Sequence, residues 1–193
     1  MSGDPSSLSP VGLEVRDAER ADMAAVQHIY ARHVLSGLAT FEETAPSLEE
    51  MAGRRQAALD LGLPYLVAET AGGILGYCYA TPYRSRPAYR YTIEDSIYVA
   101  EGQSGKGVGT ALLGALIRRC ETAPWRQMLA VIGDSGNHAS IGLHRRHGFT
   151  LIGTLRSVGF KFGQWVDTVV LQRELGRGAA SLPSAAGKPD LLD

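Results

Sequence analysis

One stretch, Asp95-Ser-Ile-Tyr-Val-Ala-Glu-Gly-Gln-Ser-Gly-Lys-Gly-Val-Gly-Thr110, restricts what this chain can fold into more than any other. Its first part, Ser96 to Val99, is β-branched and aromatic and reads as a short strand. Its last part opens a helix whose apolar residues Val108, Leu112, Leu116 and Cys120, flanked by Leu113 and Ile117, form one wide stripe. Between them lie Gly105, Gly107 and Gly109, which permit positive φ and put no Cβ in the way of a ligand. A helix N-terminus behind such a turn offers unpaired N–H groups and a positive dipole end, so the stretch suggests a phosphate cradle. A plain strand-to-helix turn is the alternative. Two nucleotide readings fit poorly. Lys106 is followed by Gly107 where a P-loop needs Ser or Thr, and the next strand, Met128 to Ile132, meets Gly133 before any acid that could bind a ribose.

The remaining elements follow from pattern. Val11 to Asp17 alternates as a first strand, and Asp22 caps a helix carrying Val26, Ile29, Tyr30, His33 and Val34 towards Gly37. His28 and His33 read as packing or surface residues. Ser47 and Glu50 form a capping box for a second helix, which runs towards Asp60 and is stopped by Gly62 and Pro64. Strands are predicted at Tyr65–Glu69, Ile74–Ala80, Tyr91–Val99, Gln127–Ile132, Thr150–Leu155 and Val166–Gln172. The glycine-turn helix is predicted to run to Glu121, with a short helix over Asn137–His147. This is an α/β (α+β) chain with a mixed sheet flanked by helices. One domain is expected over 11–175, with flexible segments at 1–10 and 176–193.

Composition narrows function. A net charge of −1 over 193 residues gives no broad footprint for nucleic acid or an anionic membrane, and no apolar run reaches the roughly 18 residues of a membrane span. A cytoplasmic protein is expected. Cys78 and Cys120 sit in apolar runs and read as buried free thiols. His144 and His147 have a metal-like spacing but no evident third ligand, so no metal is expected.

The strand, Gly105-Lys-Gly-Val-Gly109 and the apolar helix resemble the acetyl-CoA site of the GCN5-related N-acetyltransferases, the GNAT family. Asn137-His-Ala-Ser-Ile-Gly-Leu-His-Arg-Arg-His-Gly-Phe149 resembles that family's second signature. Ala39-Thr-Phe-Glu-Glu43, Ala80 to Glu94, Ile141-Gly-Leu-His144 and Gly159-Phe-Lys-Phe-Gly-Gln-Trp165 resemble one branch, acting on phosphinothricin, methionine sulfoximine and methionine sulfone. The resemblance spans about Leu13 to Leu175. It implies a mostly antiparallel sheet with two splayed central parallel strands, acetyl-CoA as co-substrate, a small amino-acid acceptor and a homodimer.

Carried over residue by residue, the resemblance gives Ile97, Tyr98 and Val99 to the pantetheine arm. It gives Gly105, Lys106, Gly107, Val108, Gly109 and Thr110 to the pyrophosphate, with Asn137 and Arg146 as further cofactor contacts. Lys106 and Arg146 also fit solvated surface residues, and Asn137 fits a helix cap. Ser104 departs from the family's Arg or Gln, which implies weaker cofactor binding at most. Glu94 matches a catalytic glutamate that takes the amine proton directly or through a water, and His144 is the second candidate acid or base. The oxyanion would meet the Val99 N–H. Phe41, Arg84, Ser85, Arg86, Glu94, Asp95 and Ser96 fall where the branch lines its acceptor pocket, and the two guanidinium groups suit carboxylate, phosphinate or sulfonyl oxygens. Asp95 departs from the His or Ser of the branch. Gly159 to Trp165 could border that pocket or a dimer contact. The rival functions are transfer to another amine, an aminoglycoside or a protein N-terminus, and a non-catalytic acyl-CoA-binding module.

Overall fold

A computed structural model describes residues 10–183. Its elements are β1 (Glu14–Asp17), α1 (Met23–Ser36), α2 (Leu48–Asp60), β2 (Tyr65–Thr70), β3 (Gly73–Pro82), β4 (Thr92–Val99), α3 (Val108–Glu121), β5 (Gln127–Gly133), α4 (His138–Arg146), β6 (Thr150–Lys161) and β7 (Gln164–Glu174). The strands form one seven-stranded sheet in the order β1-β2-β3-β4-β5-β7-β6. Every neighbouring pair is antiparallel except β4 and β5. That parallel pairing is short. It runs from Thr92↔Gln127 to Asp95↔Ala130 and stops, although both strands continue. Beyond Asp95, β4 keeps its partner β3 as far as Gly76↔Val99, while β5 follows β7 to Gly133↔Thr168. The sheet therefore opens into a fork at its centre, as the resemblance implies.

The two faces differ in chemistry. On one, Tyr65, Tyr77, Tyr79 and Tyr98 stack with centroids 5.0 to 6.1 Å apart, and Tyr30 of α1 meets Tyr98 edge-on at 4.9 Å. On the other lies α3, whose Val108, Leu112, Leu113, Leu116 and Cys120 are fully buried, the stripe read from sequence. Helix and sheet touch closely at Gly76, where a Cβ would stand 2.9 Å from the Tyr98 carbonyl and 3.1 Å from Leu112 Cδ1. Cys78 and Cys120 are both free and buried.

Several boundaries differ from expectation. The chain turns at Val11 and Gly12, so β1 begins only at Glu14. Asp22 precedes α1 but does not cap it. Its carboxylate instead accepts from Arg16 at 2.6 Å and from the Glu19 N–H at 2.7 Å, closing a 3-10 turn ahead of the helix. The capping box of α2 forms, with Glu50 N–H donating to Ser47 Oγ at 3.1 Å and Ser47 N–H donating to Glu50 Oε2 at 2.6 Å. β6 continues six residues past the predicted Leu155, through a bulge between Leu155 and Gly159 and into a tight hairpin. Past Leu175 a 3-10 turn spans Gly178–Ala180, and Arg126 donates to Ser181 Oγ and the Leu182 carbonyl, each at 3.3 Å. The start of the supposed tail is thus held against β5. Of the segments expected to be flexible, 1–10 and 176–193, residues 1–9 and 184–193 lie outside the described residues.

The extended β6 also organises the loop between α1 and α2. Lys161, 1% exposed, donates to the Gly37 carbonyl at 2.9 Å and the Thr40 carbonyl at 2.8 Å. The Phe41 ring lies against Gly159, where a Cβ would come within 2.5 Å of it. Tyr30 Oη shares a hydrogen bond with Thr40 Oγ1 and donates to Glu42, which also pairs with Arg54 of α2. Three elements, β6, α1 and α2, fix a loop that carries no regular structure of its own.

Candidate active site

The glycine turn has the predicted geometry. Gly105 and Gly107 adopt φ of +77° and +80°, a region costly for residues with a Cβ. Gly107 begins α3 with no side-chain cap, so the first-turn N–H groups face outward unsatisfied. Lys106 is exposed beside them. Between this helix end and the fork runs the β5-facing edge of β4 from Ser96 to Val99, which has lost its strand partner. An unpaired strand edge leading to an uncapped helix N-terminus fits an extended amide-containing arm ending in a pyrophosphate. A residue not expected in this role supports the edge. His33 of α1 lies with Nε2 2.9 Å from the Val99 carbonyl and its ring 5.3 Å from that of Tyr98. His33 and Val99 are 66 positions apart in the chain, so no local pattern could have revealed the contact.

α4 lies against the same cradle, since a Cβ at Gly109 would come within 3.1 Å of Leu143. Asn137 caps α4, its Oδ1 accepting the Ser140 N–H at 3.2 Å, so the cap reading holds. Its amide nitrogen takes no part in the cap. Arg146 is exposed on the last turn.

Strand alternation sorts the remaining predicted residues. Glu94 and Ser96 share the tyrosine face of β4, both half-buried. Burial, and to a lesser degree the neighbouring Asp95 charge, push the Glu94 carboxyl up to about 7, with Arg84 opposing. Arg84 stacks over Tyr83 at 4.9 Å, and Tyr83 packs edge-on against Tyr89 at 5.5 Å. Arg84, Ser85 and Arg86 are exposed on the loop between β3 and β4. Tyr79 lies within electrostatic reach of both Glu94 and Glu42, which brings the Thr40–Glu43 loop and β4 to one side of the sheet.

Asp95 lies apart from the other predicted acceptor residues. Adjacent to Glu94, it points through the opposite face, is 5% exposed, and pairs with His144 Nε2 at 2.9 Å. It is therefore separated from Glu94 and Ser96, with which the resemblance grouped it. His144 is 3% exposed, and its Nδ1 lies 2.8 Å from the Ser140 carbonyl. Burial alone would lower its pKa, but the hydrogen bond and charge of Asp95 outweigh that and raise it. Among the described residues, no group of three His, Cys, Asp or Glu side chains could hold a metal ion, and no helix is long and apolar enough to cross a membrane.

A forked sheet and a glycine turn at an uncapped helix N-terminus are the features expected of an acetyltransferase of the GNAT class. The description of the acetyltransferase (GNAT) domain matches residues 15–170, and the chain belongs to that family. It is 53% identical to the phosphinothricin N-acetyltransferase of Alcaligenes faecalis, over 93% of this chain and 94% of that one. It is 42% identical to the L-methionine sulfoximine/L-methionine sulfone acetyltransferase of Pseudomonas aeruginosa, over 86% of this chain and 96% of the other. Among solved structures, the phosphinothricin acetyltransferase of Sinorhizobium meliloti in complex with acetyl-CoA superposes with a TM-score of 0.89 at 46% identity. That match covers 93% of this chain and 97% of the other. The protein is an acetyl-CoA-dependent N-acetyltransferase acting on a small amine.

The His33 contact has a measurable consequence. His33→Ala removes one hydrogen bond from the Val99 carbonyl, worth about 1 kcal/mol. Calorimetric titration with acetyl-CoA is expected to show binding weakened about fivefold. Unchanged affinity would show that the His33 contact plays no part in binding acetyl-CoA.

Proposed function

We propose that the acceptor is the α-amino group of a small amino-acid analogue carrying a second oxyanionic or sulfonyl group, such as phosphinothricin, methionine sulfoximine or methionine sulfone. Transfer is direct, within a ternary complex in the cytoplasm. The observation that carries this reading is Glu94, a half-buried carboxyl at about 7 with Arg84 close enough to affect its charge. A substrate amine arrives protonated, and a base matched to neutral pH can remove that proton. Arg84 and Arg86 supply guanidinium forks for the acceptor's oxygens, with Phe41, Ser85 and Ser96 along the same side. The similarity to enzymes named for phosphinothricin and methionine sulfoximine supports the same acceptor class.

Acetyl-CoA supplies an activated thioester. Ile97, Tyr98 and Val99 align its arm along β4, and Gly105 to Thr110, aided by Lys106, Asn137 and Arg146, hold its phosphates. The Val99 N–H receives the developing oxyanion. Glu94 takes the amine proton as the nitrogen–carbon bond forms, and His144 returns one to the sulfur. Neither cysteine serves as an acyl carrier, because burial pushes both thiols well up and away from the nucleophilic thiolate form.

A panel assay of free-thiol release from acetyl-CoA tests the substrate. Saturable release with methionine sulfone, methionine sulfoximine and phosphinothricin, and none with an aminoglycoside or a short peptide, is expected. Release with the last two alone would discard the acceptor class while keeping the fold. Thermal stabilisation by acetyl-CoA without turnover on any amine would favour the binding-module reading.

The base assignment predicts a pH dependence. Glu94 must be ionised to act and its pKa is raised, so activity is lost as pH falls through about 7. At pH 6 kcat should stand about tenfold below its plateau. Glu94→Gln should lower kcat about 10²- to 10⁴-fold and abolish that limb, with acetyl-CoA affinity unchanged. A Glu94→Gln enzyme with normal turnover would remove Glu94 as the base.

The homodimer forms through β6. This strand lies at the sheet edge and, with the hairpin, exposes Leu151, Ile152, Leu155, Val158, Phe160, Phe162 and Trp165, the last 67% accessible. Contiguous apolar exposure on an edge strand is a liability for a lone subunit. Light scattering should give twice the chain mass of 20.6 kDa, falling to one chain for Trp165→Arg. A monomeric wild type would refute this assembly.

A further inference from the structure

One side chain of β5 is exposed where its neighbours are not. β5 is an inner strand, between β4 and β7, and the parallel part of a sheet is normally covered on both faces. Met128, Leu129, Ala130 and Ile132 are at most 8% exposed, yet Val131 among them is 39% exposed. The register fixes the way it points. Glu94 pairs with Leu129 and Asp95 with Ala130, and residues paired across a ladder share a face. Val131, next along, therefore projects on the face of Glu94 and Ser96, opposite to the Asp95–His144 pair.

The cover on this face stops on either side of Val131. α1 and α2 pack over β2, β3 and β4. The loop after α1 closes on the end of β5, where a Cβ at Gly133 would stand 2.5 Å from the Leu38 carbonyl. α4 reaches β5 from the other face, the face of its contact with Asp95. What remains is an apolar floor at Val131, between Glu94 and the loop. It continues sideways into the β7 partner Val170, which is half-buried.

We propose that Val131 is a specificity-determining residue, the floor on which the apolar end of the acceptor's side chain rests. The inference deepens the acceptor reading above and rests on it. Phosphinothricin, methionine sulfoximine and methionine sulfone each end in a methyl group on phosphorus or sulfur. Glutamate and glutamine have the same α-amino group, the same two methylenes and terminal oxygens, but no such methyl. Guanidinium groups at Arg84 and Arg86 suit the oxygens of all five, so charge alone does not separate them. An apolar floor does. It gains from covering a methyl group, whereas a carboxylate or amide laid on it gives up water without a partner in return.

Acceptor ratios test the floor. In the wild type, kcat/KM for methionine sulfone should exceed that for glutamine by about tenfold or more. Val131→Thr keeps the shape but exchanges a methyl for a hydroxyl. It should lower kcat/KM for methionine sulfone about tenfold, through KM, with glutamine and the KM of acetyl-CoA unchanged. Val131→Ala makes room for one more methylene and should raise the preference for ethionine sulfone over methionine sulfone about tenfold. A merely structural role would move all acceptors together. Ratios that stay at their wild-type values in both variants overturn the proposal. So does a wild type that acetylates glutamine as well as methionine sulfone, even if no variant folds.

Labelling reads the same surface without turnover. Val131→Cys places an exposed thiol on the floor, while Cys78 and Cys120 are buried. Iodoacetamide should modify it in the free protein, and several-fold more slowly once methionine sulfone joins a non-transferable thioether analogue of acetyl-CoA. The analogue alone should not protect. Slow labelling without ligands would show that something else covers the floor, and labelling indifferent to methionine sulfone would place the acceptor elsewhere. Either result overturns the proposal. A wild type that acetylates none of the three analogues sinks the acceptor reading and this inference with it. Turnover of all three with unmoved ratios sinks this inference alone.

Discussion

The structure depends on a parallel strand pair that stops pairing halfway. Buried backbone groups seldom go without partners, so two central strands separate only if something else holds each of them. β4 keeps its ladder to β3 as far as Val99, and β5 keeps its ladder to β7 as far as Gly133. Both free ends are then held from one direction. His33 of α1 engages the Val99 carbonyl, and the loop after α1 packs on Gly133 so tightly that a Cβ there would stand 2.5 Å from the Leu38 carbonyl. α1 and its loop thus hold both arms of the fork, and the unpaired edge of β4 is left for a ligand rather than for β5.

The same loop links the fork to the tyrosine face. It reaches from Gly37, beside the fork, to Glu42, beside Tyr30 and Arg54, and is anchored in its middle by the buried ammonium of Lys161. A lysine with so little exposure must have its N–H groups occupied, and two backbone carbonyls of one loop occupy them here. The hairpin carrying Lys161 turns through Phe162 and Gly163, both with positive φ, which joins β6 and β7 in a two-residue connection. If β6 is where two subunits meet, the loop around Phe41 is braced by a strand that dimerisation itself would order.

The sequence patterns that were readable depend on local chemistry. The α3 stripe, the Ser47–Glu50 box, the Asn137 cap and the glycine turn each need only neighbouring residues, and each appears where expected. The second half of β6 was not readable because a bulge breaks its alternation and Phe162-Gly163 is not a usual hairpin pair. Asp22 resembles a cap until the tertiary partner Arg16 claims its carboxylate. The placements of His33, Lys161 and Asp95 depend on contacts across 49 to 124 residues, which no periodicity encodes. Family resemblance supplied the acceptor residues together. Strand alternation then separated Asp95 from them.

That separation matters because Glu94 and Asp95 are adjacent carboxylates in an enclosed site. Side by side on one face, they would resist simultaneous ionisation. The pleat sends them to opposite faces, where each meets different surroundings. Glu94 looks onto the tyrosine layer, whose burial raises its pKa towards neutrality, and the Asp95 charge felt through the strand adds to the rise. Asp95 looks onto α4 and pairs with His144. Arg84 acts on Glu94 in the lowering sense. One strand thus places Glu94 on the tyrosine face and the Asp95–His144 pair on the face that meets α4. The influences on the Glu94 carboxyl come from both faces of the sheet.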